Sequence, residues 1–209
     1  MPTLRRAARL DPAAVLAALR PVEGSWVAVP PSRELPDLPA VGRWAEALVA
    51  DVEPGRRSRL REALELTAEP GTREEDPDHP ELVQLDGWRD TPTTAYLQVV
   101  NPANRRLPEL TTSRRVGEQA NTTGGRIRTR WVEELPTPAV HEREVDPGDP
   151  TLGWLARSSL LVEVRRPGLL ALRRVARVDL YGDEATVDEL TAGALRRVHD
   201  LLHGSGPGR

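Results

Sequence analysis

The stretch SSLLVEVRRPGLLALRRVARVDLYGDEATVDELTAGALRRVHDLLHG, residues 158–204, decides the fold. Its first part alternates: Leu160, Val162 and Val164 share one side of an extended segment from Ser159 to Arg166. Successive side chains of a strand point to opposite faces, so a period of two marks a strand with one face buried. Pro167-Gly168 then reads as a hairpin turn, and a second strand is expected from Leu169 to Tyr181. Beyond it the period lengthens to that of a helix. Val187, Leu190, Thr191, Ala194, Leu195, Val198, Leu201 and Leu202 fall on one face. Thr186 and Glu189 have the spacing of a capping box, and Gly204 stops the helix. A hairpin that runs straight into a long amphipathic helix predicts an α+β fold, because each element needs the other to bury its apolar side.

Upstream, Glu81–Trp88, Thr94–Val100, Arg126–Leu135 and Ala139–Val145 also read as strands, giving an antiparallel sheet of about six to seven with Gly24–Pro30 included. Val41, Trp44, Ala45, Leu48, Val49 and Val52 form one helical face ending at Pro54-Gly55. A second helix is expected from Arg56 to Glu69, so the two make a helical hairpin ahead of the sheet. Asp11-Pro12 has the pattern of an N-cap and first helical residue, which places a short helix to Arg20 within an N-terminal extension, residues 1–22. Residues 205–209 are expected to fray. The whole reads as a single domain over residues 1–209, in keeping with its length.

The order of elements resembles that of a helix-grip sheet, the architecture of START-type ligand-binding proteins. It also suits a PsbP-like α/β/α sandwich. The first resemblance implies a cavity between sheet and last helix for a small molecule or lipid, lined by Trp131, Leu160, Val162 and Leu195.

Composition removes several chemistries. The chain has no Cys, so it has no thiolate nucleophile, disulfide or iron–sulfur ligand. All 29 basic residues are Arg, which removes Schiff-base and phosphate-loop lysines. Absent Lys and Phe, with abundant Ala, Arg, Gly and Pro, is the usage of a GC-rich bacterial genome. The formal net charge of -3, with signs intermixed, argues against a dedicated nucleic-acid or anionic-membrane binder. No apolar run reaches the length of a membrane span and no secretory leader pattern opens the chain, so a cytoplasmic location is expected.

Candidate sites are few. His199 and His203 have the spacing of a helical metal pair, but no HExxH accompanies them; at a helix C-terminus they read as structural. The acidic run Glu74, Glu75, Asp76, Asp78 and His79 reads as a solvated loop. Arg126, Arg128 and Arg130 share one strand face and form either an interaction stripe or the cationic half of cross-strand pairs. A turn centred on Thr137 would set Arg130 opposite Glu144 and Arg128 near Asp146. Trp88, Trp131 and Trp154 read as core fillers in a chain without Phe. Should the protein be an enzyme, His141, Glu133 and Glu134 are the first candidates, although no nucleophile motif surrounds Ser158-Ser159. The long polar segment from Asn101 to Gly125 is a lid, an added edge strand or a loop. With no catalytic constellation, no cofactor and no metal are expected. The expected function is that of an interaction or adaptor protein binding another protein, with the apolar-ligand carrier second and an acid–base hydrolase or isomerase third.

Overall fold

The computed structural model describes residues 7–69, 81–120, 124–146, 155–168 and 172–204. In chain order the elements are β1 (Ala8–Arg9), α1 (Pro12–Leu19), β2 (Trp26–Ala28), α2 (Leu38–Val49), α3 (Pro54–Thr67), β3 (Glu81–Gln84), β4 (Thr94–Val100), a 3-10 turn (Leu107–Leu110), β5 (Gly117–Ala120), β6 (Arg126–Trp131), β7 (Ala139–Val145), β8 (Ala156–Arg165), β9 (Arg173–Gly182) and α4 (Glu184–Gly204). The strands form one curved, open sheet in the order β2-β3-β4-β9-β8-β7-β6-β5, antiparallel throughout this path. β1 is the ninth strand and pairs parallel with the end of β8.

Alternation along β4, β8 and β9 sends Ala95, Leu97, Leu160, Val162, Val164, Ala176, Val178 and Leu180 to one face. There they meet Val15 and Leu19 of α1 and Val187, Leu190, Ala194 and Val198 of α4 in the main core. Full burial of each Val or Leu contributes roughly 1.5–3 kcal/mol relative to exposure, so this stripe accounts for the docking of α4. The N-terminal helix, expected as an extension, is part of that core. Arg197 of α4 ties it down by donating to the carbonyls of Ala18 and Arg20 and pairing with Glu23 at 2.9 Å. The opposite face carries α2 and α3, packed over Val83 with Val29 and Trp88 in a second core. The guanidinium of Arg56 lies 3.8 Å over the Trp88 ring. Helices therefore flank the sheet on both sides at its β2-β3 end, with α4 as the long C-terminal cover.

Three local readings change. Both hairpin helices begin earlier than their apolar periodicity suggests. Asp37 caps α2 by accepting from the Ala40 amide at 2.8 Å, and Pro54 starts α3 instead of ending α2. In α4 the cap is Asp183, not Thr186. Its carboxylate accepts from the Thr186 amide and hydroxyl, both at 2.9 Å, and from the Arg89 amide at 3.0 Å. Burial works to raise this carboxyl, but those donors outweigh it and hold Asp183 below its ordinary value. Asp183→Ala is expected to cost about 2 kcal/mol in urea melts, the upper end for a cap, because the Arg89 tether goes with it. A loss near zero would mean that Thr186 alone holds the helix end.

The third change is the β6–β7 register. The structure pairs Arg126 with Val145, Arg128 with Arg143 and Arg130 with His141. The expected pairs of Arg130 with Glu144 and Arg128 with Asp146 do not form. The reason lies in the connection between the strands. Thr137 is not a turn apex; its hydroxyl donates to the Glu163 carbonyl at 2.5 Å and accepts from the Ala8 amide at 3.1 Å. Leu135 also turns into the main core. An odd shift of register exchanges faces, so Glu142 and Glu144 leave the arginine side of the sheet.

Candidate interaction surface

β6 alternates sharply. Ile127 and Thr129 are buried on the side of α2 and α3, while Arg126, Arg128 and Arg130 are exposed on the side of α4. α4 crosses β8 and β9 and reaches no further than β7. Two of its acids meet Arg143, which donates to Asp188 through Nε and Nη2 at 2.7 and 2.8 Å and to Glu184 at 2.7 Å. These carboxylates raise the guanidinium pKa further. Arg130 lies 3.9 Å from Glu134 with both side chains about half exposed, a contact worth well under ~1 kcal/mol. Among the described residues, no carboxylate reaches ion-pair distance of Arg126 or Arg128. Their neighbours on β5 are Ala120 beside Arg126 and Glu118 beside Arg128. The sheet thus extends past its helical cover as a two-stranded wing whose outer face is cationic.

The other face of this wing is closed by the segment from Asn101 to Gly125. Leu107 packs with Val140, Leu161 and Val175, and the half-buried Trp131 joins them. Glu142, 1% exposed, anchors the strap that follows. It accepts from the Thr112 amide at 3.2 Å, the Ser113 amide and hydroxyl at 2.9 Å each, the Thr129 hydroxyl at 3.2 Å, and Arg157. Burial works to raise its pKa, but the Ser113 amide and the Arg157 charge lead the groups that hold it below the usual carboxylate value. Arg157 also lies 3.4 Å from Glu144. Beside them Asp179 accepts from Ser159 and pairs with Arg177 at 2.7 Å. The segment is therefore a strap followed by an added edge strand, β5. Ala139 to Glu142 are buried in succession, so β7 is covered on both faces and its acid must be paired, which the sequence Ala-Val-His-Glu does not announce.

His141 sits under α4 with its Nε2 2.9 Å from Ser158 Oγ, which suggests a nucleophile and its base. Burial argues otherwise, since Ser158 and His141 are both buried beneath α4, with no opening to a substrate among the described residues. Thr191 Oγ1 lies 2.7 Å from both Ser158 Oγ and the Val187 carbonyl. The Thr191 hydroxyl is directed at both acceptors, so the chain runs from Thr191 to Ser158 and on to the His141 ring. Burial, with Arg130 and Arg143 adding to it, lowers the His141 pKa to about 4 against the smaller pull of Asp188 and Glu142. The ring is neutral and stands at one end of a buried hydroxyl chain. Glu133 and Glu134 lie outside that chain, on the exposed connection after β6.

Of the four residues expected around a cavity, Leu160, Val162 and Leu195 come together in the main core and Trp131 does not join them. Leu160 and Val162 lie in the main core with 1% and 0% exposure, and Leu195 packs at its edge. Trp131 is on the opposite face of the sheet. Surfaces with no accessible area leave no room for a ligand at Leu160 or Val162. The His199 and His203 rings contact each other at 4.2 Å, and the described residues contain no group of three side chains able to hold a metal ion. Trp154 and the acidic run from Glu74 to His79 lie outside the described residues. No described helix is long and apolar enough to cross a membrane.

No family model, curated protein or solved structure matches the chain.

Proposed function

We propose that this is a non-catalytic adaptor whose recognition surface is the Arg126, Arg128 and Arg130 stripe, and whose partner is a protein presenting an acidic segment. One observation carries the reading: Glu184 and Asp188 of α4 bond Arg143, and beyond them three exposed guanidinium groups stand in a row on a sheet face that α4 does not cover. Exposed arginine forks favour carboxylates and supply both steering and register at an interface. Trp131, the aromatic residue of β6, faces the other way, so stacked bases gain nothing here. A cytoplasmic setting belongs to the same proposal and agrees with a chain free of cysteine.

Fluorescence anisotropy with a labelled, alternating Glu-Thr octapeptide at low salt tests this. The peptide is expected to bind, a Gln-Thr analogue is not, and Arg126→Glu with Arg128→Glu should weaken binding by at least about tenfold, the loss of two charge-assisted contacts. Equal binding by the variant, or tighter binding of a single-stranded oligonucleotide of the same charge, would overturn it.

A further inference from the structure

The cationic wing ends in an unpaired strand edge. Among the described residues, β5 has β6 on one side and no strand on the other. Gly117, Glu118 and Ala120 are exposed, and Gly117–Ala120 contains no proline to block a further strand. Such an edge is a template for main-chain pairing. We propose that the partner segment docks as an added strand on β5, and that the side chains of β5 set which acidic pattern is accepted; this inference rests on the proposed role of the arginine stripe.

The register supplies the pattern. A strand added to β5 lies about 5 Å from it and about 10 Å from β6, and its alternate side chains share the arginine face. At Ala120 only a methyl stands between the newcomer and Arg126. A glutamate there reaches across the methyl while Arg126 reaches back. At the next position on that face Glu118 flanks Arg128, so a second acid is repelled and a neutral or basic residue fits. β5 begins at Gly117; carried one residue further, its register would set Val116 beside Arg130, where an acid is again accepted. The recognised segment is therefore extended, with acids four residues apart and a non-acidic residue midway. A second copy of this chain suits the edge poorly. Pairing β5 with β5 would set two arginine stripes on one continuous face.

The test uses the intact protein and a Thr-rich peptide with glutamates four residues apart, N-methylated on alternate residues in either of the two phases. An added strand directs every other amide toward β5, so one phase should lose binding by at least about tenfold while the other binds like the parent peptide. Equal affinities of the two phases, with binding still lost in the double arginine reversal, would overturn strand addition and leave the stripe as a docking face. Insensitivity to the reversal would overturn both. Sedimentation showing a dimer that the peptide fails to dissolve would also overturn the inference, since the edge would then be taken by a second copy.

Discussion

Glu142→Ala is expected to destabilise the protein by about 3–5 kcal/mol, the range for removing one partner of a buried ion pair. The carboxylate satisfies the amides of Thr112 and Ser113, two hydroxyls and Arg157 at once. Its removal leaves buried donors unpaired, each costing about 1–3 kcal/mol, although Arg157 keeps Glu144 and the strap amides regain water when the segment lifts. The loss should therefore be divided. Global stability falls in urea melts, and hydrogen exchange at Thr112 and Ser113 rises further than exchange in β8 and β9. Glu142→Gln should fall between the variant and the wild type, since an amide oxygen still accepts. The pH dependence has a definite sign: the folded-state pKa is lowered, so this stabilisation is present above the ordinary carboxylate value and is lost as pH falls through the lowered one. A loss below about 1 kcal/mol in Glu142→Ala, or unchanged exchange in the strap, would show that Leu107 and its apolar neighbours hold the segment without the carboxylate.

His141 gives the second large effect. Its folded pKa is about 4 against an ordinary value of 6.5. Between those values the unfolded chain takes up a proton that the folded chain refuses, so stability falls with decreasing pH. The slope approaches about 1.4 kcal/mol per pH unit, and the loss between about pH 7 and about pH 5 comes to ~2 kcal/mol. Below about pH 4 the folded state binds the proton too and this contribution stops changing. His141→Gln keeps a hydrogen-bonding group toward Ser158, able to donate or accept, and removes the titration. Denaturation at a series of pH values should therefore give a curve for the variant that is flatter by that amount. Parallel curves would mean that the imidazole reaches water or a carboxylate in the folded protein.

The apolar periodicities of residues 158–204 carried most of the architecture: a hairpin, a long helix, and the face on which they meet. Local spacing sufficed there because each element declares its buried side within its own segment. The register of β6 against β7 was not readable in the same way. It depends on Thr137 being held by Ala8 and Glu163, residues brought near only by the complete sheet. That one contact decides whether Arg128 faces a carboxylate or Arg143, and hence whether the stripe is neutralised or open. The pairing of β1 with β8 was hidden for a related reason, since two residues of strand leave no periodicity. The cap at Asp183 was legible in principle. An aspartate three residues before Thr186 has the right spacing, and the downstream Thr-x-x-Glu pattern merely imitated it.

The most direct test of the arginine wing is photo-crosslinking in the source cell, with a photoreactive amino acid at Ala120 and all three stripe arginines intact. The account predicts an adduct on an extended segment of another protein with acids four residues apart, lost when Arg126→Glu and Arg128→Glu are added. An adduct on nucleic acid, on a second copy of this chain or on a segment without acids would contradict it, as would an adduct indifferent to the arginine reversal.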